Sequence, residues 1–193
     1  SWSTWNLDLR LRKSDAISEQ EMLLKEDIDF YKFLQYKASQ QWLTLKKYAN
    51  DKGIMIIGDM PIYVSYDSSD VWANPEYFDL NDEKIPLHIA GVPPDLYSKE
   101  GQLWGNPLYH WDYLEKNQYQ WWVDRVQVAT QMFDRIRIDH FIGFQNFFSI
   151  PYGQKTAVNG TWEKGPGIKL FNVIKEKLAN VNIIAKDFGV VND

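Results

Sequence analysis

A chain of 193 residues suits one domain or part of a larger one, and 45% hydrophobic with 16% aromatic residues is ample material for a packed core. The net charge of −5 comes without a basic stripe, which excludes nucleic acid and an anionic membrane as main partners. Cysteine is absent, so disulfide and thiol chemistry are excluded and a reducing, cytoplasmic compartment fits.

The chain starts without Met and in mid-pattern, so its true N-terminus is expected to lie elsewhere. Ser1 to Glu26 is polar, punctuated by Trp2, Trp5 and the run Arg10-Leu11-Arg12-Lys13, and reads as loop or short helix. Tyr31, Leu34, Ala38, Trp42, Leu45 and Ala49 then recur at steps of three and four, the signature of one helical face, expected to be core-facing. Gly53 stops that helix as the residue just past its C-cap. Ile54 to Ile57 reads as a short buried strand and is the longest apolar run, far too short to span a bilayer. Asp59 follows at the strand's carboxyl end, where it is read as holding a loop or pairing with Arg137.

Pro61 to Asp112 reads as a long connection rich in Pro, Gly, Asn and aromatics, and long loops of this kind are usually functional. Rigid turns carrying aromatic plates and amides suit sugar recognition: the ring covers the C–H face of a pyranose while Asn, Gln and Asp bond its hydroxyls. Trp104 and Asn106, flanked by glycine and proline, are the site candidates there. Trp72, Phe78 and Trp111 read as a minor core beneath the loop.

Tyr119, Trp122, Val126, Ala129 and Phe133 mark a second amphipathic helix leading into Arg135-Ile136-Arg137-Ile138-Asp139-His140-Phe141. Strict alternation makes that stretch a strand, with Arg137 and Asp139 on one face. Polar residues at the carboxyl end of a parallel strand face the ligand site, and a guanidinium beside a carboxylate keeps it ionised. Asp139 is therefore a candidate nucleophile, the alternative being a structural ion pair that closes the strand. Further on, Thr156 to Trp162 reads as a small hairpin with Asn159-Gly160 as a type I′ turn. Leu170, Phe171, Ile174 and Leu178 give a third helix. A third strand over Val181 to Ala185 ends in Lys186-Asp187-Phe188-Gly189. Helices alternating with strands that end in charged residues imply an α/β fold with a parallel sheet; three strands are fewer than the eight of a closed barrel.

These residues also resemble a known family. Gly58-Asp59-Met60-Pro61-Ile62-Tyr63-Val64, Asp67-Ser68, Asp70-Val71-Trp72-Ala73-Asn74-Pro75, Gly91-Val92-Pro93-Pro94-Asp95, Gly101-Gln102, Trp104-Gly105-Asn106-Pro107-Leu108-Tyr109, Arg137-Ile138-Asp139-His140-Phe141 and Thr156-Ala157-Val158-Asn159-Gly160 resemble the amylomaltases, or 4-alpha-glucanotransferases, of the alpha-amylase superfamily. The resemblance covers nearly the whole chain. It implies one partial catalytic domain over 1–193, part of a (β/α)8 TIM barrel whose aromatic cleft loop spans about 60–115 as a long insertion. It implies a retaining transfer of an α-1,4-glucan segment to a glucose or glucan acceptor, malto-oligosaccharides as partners, and no cofactor or metal. In that resemblance Asp139 matches the nucleophile and Arg137 the arginine that holds it ionised. His140 matches a histidine bonding substrate hydroxyls, and Asp67 a donor-side contact. Trp104 and Asn106 line the cleft loop.

One departure bears directly on the chemistry. The family reads Ala-Glu-Asp-Leu-Gly where this chain reads Ala185-Lys186-Asp187-Phe188-Gly189, so Lys186 stands at the position of the general acid/base. A retaining pair needs two carboxyls roughly 5–5.5 Å apart. An alkylammonium, with a reference pKa near ~10.4, is a poor acid for a glycosidic oxygen. The family's third carboxylate falls in a motif beyond Asp193. The expectation is a central fragment of such a barrel, silent as a transferase. The alternatives are a non-catalytic glucan-binding module that keeps Trp104, Asn106 and His140, and an α-glucan hydrolase of the wider superfamily.

Overall fold

The structure is a computed structural model that describes residues 1–187. Phe188 and Gly189 of the last motif lie outside the described residues. In chain order the elements are α1 (Leu7–Arg10), α2 (Ser14–Leu23), α3 (Lys25–Asp51), β1 (Ile57–Pro61), α4 (Ser69–Ala73), β2 (His88–Val92), β3 (Gln102–Pro107), α5 (Trp111–Lys116), α6 (Gln120–Met132), β4 (Arg135–Asp139), β5 (Asn146–Pro151), β6 (Thr161–Lys164), α7 (Ile168–Lys177) and β7 (Ile183–Lys186). The architecture is α/β. A parallel sheet in the order β1-β4-β7 alternates with helices, and a separate antiparallel sheet has the order β3-β2-β5-β6. No helix among the described residues is long and apolar enough to cross a membrane.

The parallel sheet follows from the alternation in β4. Ile136 and Ile138 are fully buried, while Arg137 and Asp139 are turned to the other face. Behind the isoleucines lie Trp122 and Val126 of α6 and Leu170 and Ile174 of α7, all part of one core. Removing a buried isoleucine to alanine in such a setting costs about 2–5 kcal/mol. Register runs Asp59↔Arg137 and Pro61↔Asp139 on one side of β4, and Arg137↔Ile184 and Asp139↔Lys186 on the other. The charged ends of three strands thereby share one edge and one face.

The first strand starts three residues later than its apolar run implies. The Asp134 carboxylate accepts the Ile56 N–H at 2.7 Å and the Asn50 amide at 2.8 Å, and Ile56 returns its carbonyl to the Asp134 N–H. Ile56 is thus satisfied before the ladder begins at Ile57↔Arg135. The carboxyl end of β1 is held from α6, where Arg125 donates to the carbonyls of Pro61 and Ile62 at 2.7 and 3.2 Å. β7 is likewise displaced from its expected bounds by its pairing with β4.

The long helix α3 closes as its sequence implies. Gly53 sits at φ +75°, and Gly53 and Ile54 donate their N–H groups to Asn50 and Ala49, the double-bonded C-terminal motif that favours glycine. Its apolar stripe is not buried, however. No α3 residue is buried, and Tyr31, Leu34 and Leu45 are exposed. Its C-terminal half is tied to α6 and the segment that follows it. The Trp42 indole donates to the Met132 carbonyl at 2.8 Å, Lys46 reaches the Gln131 carbonyl at 3.1 Å, and Trp42 packs edge-on against Phe133. The N-terminal stretch holds α1 and α2 rather than one short element.

The expected long loop is also structured. Two of its segments, β2 and β3, pair with each other, and β2 pairs in turn with β5. Ile89, Phe148, Ile150 and Ala157 make the small core of this second sheet. Phe78 is buried and Trp72 and Trp111 pack against the same cluster, core residues as read, but all three belong to the main core and not to a minor one beneath the loop. The expected type I′ turn does not form. Neither Asn159 nor Gly160 has positive φ, and β5 and β6 are joined by the nine-residue connection 152–160. Gly160 answers to packing instead: a Cβ there would lie 2.2 Å from the Phe148 ring.

Asp134 is held below the usual carboxylate range, first by the Ile56 N–H, then by Asn50 and, more weakly, Lys46. A depressed folded value means its contribution is present above the unfolded carboxyl pKa of ~3.9 and is lost as pH falls through the folded one. Asp134→Ala is expected to destabilise the chain by about 1–3 kcal/mol at neutral pH in urea unfolding, and the penalty shrinks in acid below the unfolded value.

Candidate functional site

The face shared by the ends of β1, β4 and β7 carries two charge pairs. Asp59 and Arg137 form a two-bonded fork, with Arg137 Nε donating to Asp59 Oδ1 at 3.0 Å and Nη2 to Oδ2. Two residues further along β4, Asp139 Oδ1 forms an ion pair with Lys186 Nζ at 2.7 Å. Arg137 is thus engaged by Asp59, and the cation in contact with Asp139 is Lys186. The guanidinium keeps a carboxylate ionised as expected, but that carboxylate is Asp59, because neighbouring strands pair residues level with one another, whereas Asp139 lies two residues along the same strand.

Asp139 is held below the usual carboxylate range. The Lys186 hydrogen bond is the largest cause, the His140 N–H assists, and desolvation opposes both without prevailing. Asp59 is lowered in the same way by Arg137. The Asp139 side chain is 44% exposed and that of Lys186 25%, so the pair sits in a mouth rather than in the core. Asp139 Oδ1 meets Lys186 Nζ at 2.7 Å and accepts the His140 N–H at 3.1 Å.

His140 turns the chain sharply away from β4 at φ +54°, in the left-handed region that non-glycine residues enter at a cost of order 1–3 kcal/mol. The turn is tied on both sides, by Asp139 accepting the His140 N–H and by Asp187 accepting the Ile142 N–H at 2.7 Å. Asp187 therefore anchors the segment after β4. The turn presents the imidazole to Trp104 from β3, edge to face with centroids 4.8 Å apart. Burial pushes the His140 pKa down, against the charges of Asp187 and Asp139.

Trp104 is 36% exposed, so one side of its ring is covered and the other is open. Tyr63, stacked on Tyr109, stands behind it at 6.2 Å. Asn106 spends an amide N–H on the Val64 carbonyl at 2.9 Å, which ties β3 to the segment after β1. The structure therefore assembles Asp139, Lys186, Arg137, His140 and Trp104 around one face, with Asn106 beside them. Asp67 stands apart: its carboxylate accepts the Trp2 N–H at 3.2 Å, and no hydrogen bond or ion pair joins it to the Asp139 cluster among the described residues. Tyr63 is the residue that sequence reasoning passed over as a support for Trp104. Its motif was visible, but nothing in it signalled a ring pointing toward β3. Among the described residues no group of three or more His, Asp or Glu side chains is placed to hold a metal ion.

Chemically, the arrangement offers an ionised, partly exposed carboxylate, a cation directly beside it, and an aromatic wall. Trp104→Ala removes the ring packed on His140. The histidine's titration, followed by NMR of its ring protons, is expected to rise toward the ordinary ~6.5; an unchanged value would show that other groups bury it.

Comparison with known proteins was made against this geometry. A family model described as 4-alpha-glucanotransferase matches residues 1–193. A 4-alpha-glucanotransferase of Clostridium butyricum is 54% identical over the whole chain, which covers 40% of that protein. A chloroplastic/amyloplastic 4-alpha-glucanotransferase of Solanum tuberosum is 47% identical, again over the whole chain and over 34% of that protein. The solved structure of an amylomaltase from Streptococcus agalactiae in complex with acarbose superposes with a TM-score of 0.95 at 46% identity, covering all of this chain and 39% of that one. The chain thus spans about 40% or less of the length of these relatives.

Proposed function

The chain belongs to the 4-alpha-glucanotransferase family, and from that premise we propose that residues 1–193 are one partial catalytic domain, a sector of a (β/α)8 barrel. It carries the nucleophile side of a retaining glucan-transfer site. The substrates are malto-oligosaccharides or other α-1,4-glucans, in a cytoplasmic setting and without a cofactor. Asp139 is the nucleophile, Arg137 and His140 orient groups at the donor sugar, and Trp104 and Asn106 form the cleft wall. Asp67 is a donor-side contact reached from the segment after β1.

The observation that carries the reading is the state of Asp139. It is ionised, partly exposed and set at the carboxyl end of the central parallel strand, beside an aromatic wall. Attack by such a carboxylate on the anomeric carbon forms a glucosyl ester, which a second sugar hydroxyl then resolves with retention. Both halves need a proton relay at the leaving and entering oxygen, a role worth about 10²–10⁴-fold. Lys186 stands where the family resemblance implies the glutamate that performs it. An ammonium donates hydrogen bonds and accepts none, so it cannot take the acceptor's proton. It is also drawn into contact with Asp139 rather than standing across the cleft. The reading is therefore a site that binds glucans and is silent toward ordinary glycosidic donors.

The same ion pair favours one second reading, a glucan-binding module that performs no transfer at all. The two separate in a chimera in which this chain replaces the matching segment of the Clostridium butyricum relative. With Lys186→Glu, maltotriose disproportionation to glucose and longer dextrins is expected to rise about 10²–10⁴-fold over the Lys186 chimera, and Asp139→Ala abolishes it. Maltoheptaose binding without turnover in either form would favour the binding module.

A further inference from the structure

The contact between Asp139 and Lys186 does more than remove an acid. We propose that this pair makes the site react with α-glucosyl donors whose leaving group departs as an anion, fluoride or phosphate, in place of glycosidic donors. The inference rests on Asp139 being the nucleophile, as argued above.

Lys186 Nζ and the His140 N–H both meet Oδ1 of Asp139, whose side chain is 44% exposed, and the attack is assigned to Oδ2. The requirement for a general acid arises from the leaving group. A sugar alkoxide is too basic to depart without a proton, whereas fluoride and phosphate leave with their electron pair and need none. A cation at the mouth of the site cannot supply the first and attracts the second. In the glucosylation step Oδ2 attacks C1, the C1–Oδ2 ester bond forms, and the C1–F or C1–OPO₃ bond breaks with both electrons leaving on the anion. No proton moves. Lys186 keeps its charge, and its position beside Asp139 places that charge at the reacting centre.

The return step shows the complementary defect. A sugar hydroxyl attacking the ester must lose its proton to a base, and an ammonium accepts none. The glucosyl ester on Asp139 is therefore expected to accumulate. An acceptor that is already an anion, such as azide, needs no base. It attacks C1, the C1–Oδ2 bond breaks, and α-glucosyl azide leaves with the carboxylate regenerated.

The test treats the 193-residue chain and the Clostridium butyricum chimera with α-maltosyl fluoride and, separately, with α-maltose 1-phosphate. Released fluoride or phosphate is measured and the protein is weighed by intact mass spectrometry. The expected result is one maltosyl adduct on the Lys186 chimera, mapped to the peptide containing Asp139, absent in Asp139→Ala, and converted to turnover by azide. Initial fluoride release is expected to be faster from the Lys186 chimera than from the Lys186→Glu chimera, whereas their maltotriose rates differ by about 10²–10⁴-fold in the opposite sense. Absence of adduct and of fluoride release in the Lys186 chimera, while Lys186→Glu disproportionates maltotriose, overturns this inference and leaves the nucleophile assignment standing. Fluoride release that survives Asp139→Ala, or an inactive Lys186→Glu chimera, overturns the nucleophile assignment and this inference with it. Fluoride without phosphate release limits the donor class to small leaving anions and overturns its phosphate half.

Discussion

The site depends on the parallel register between β4 and β7, which sets Asp139 level with Lys186 and lets their side chains meet at 2.7 Å. Everything around the pair is arranged by the same constraint. Alternation along β4 buries Ile136 and Ile138 against α6 and α7, and by the same alternation it turns Arg137 and Asp139 out together. The neighbouring strand then supplies each with its own partner: Asp59 for Arg137, Lys186 for Asp139. Two carboxylates and two cations on one face would be costly if mismatched. Paired in this way, each carboxylate is held in its ionised form by the nearest cation, and the remaining exposure keeps both pairs within reach of a ligand.

The second sheet explains why the aromatic wall is rigid. Trp104 lies on β3, whose ladder with β2 is continued through β5 to β6. The Asn106 amide and the Tyr63 ring brace it from the segment that leaves β1. His140, locked in a left-handed turn by Asp139 and Asp187, closes the wall from the β4 side. The ring is thus positioned by β3, and the imidazole and carboxylate by the end of β4.

Much of this was legible in the residues, and the failures have physical causes. The helices over 25–51, 120–132 and 168–177 and the strand through Asp139 follow from periodicity, whereas the core roles of Phe78, Trp72 and Trp111 follow from reading apolar rings beneath a connection. The strands β2 and β3 did not show, because β2 pairs with β5 about sixty residues further along and the connection they lie in is dense in Pro and Gly, a pattern that reads as loop. Asn159-Gly160 carried a turn signature that the packing of Gly160 on Phe148 overrode. The stripe of α3 was read correctly as a helical face and wrongly as a buried one, since periodicity reports which residues face together and not whether anything covers them. At the site, Arg137 and Asp139 were rightly placed on one face. The Asp59 partner of Arg137 was among the readings, but the Lys186 partner of Asp139 was not, because register between strands is a tertiary fact that alternation within a strand does not encode.

The central claim is that Lys186, and not Arg137, fixes the charge on Asp139. The direct measurement is the titration of the Asp139 carboxyl carbon by NMR in the native chain, in Lys186→Met and in Arg137→Met. The account predicts a native value below the ordinary carboxylate range, a rise toward ~3.9 in Lys186→Met, and a smaller change in Arg137→Met. A native-like value in Lys186→Met, with the rise appearing in Arg137→Met instead, would contradict it.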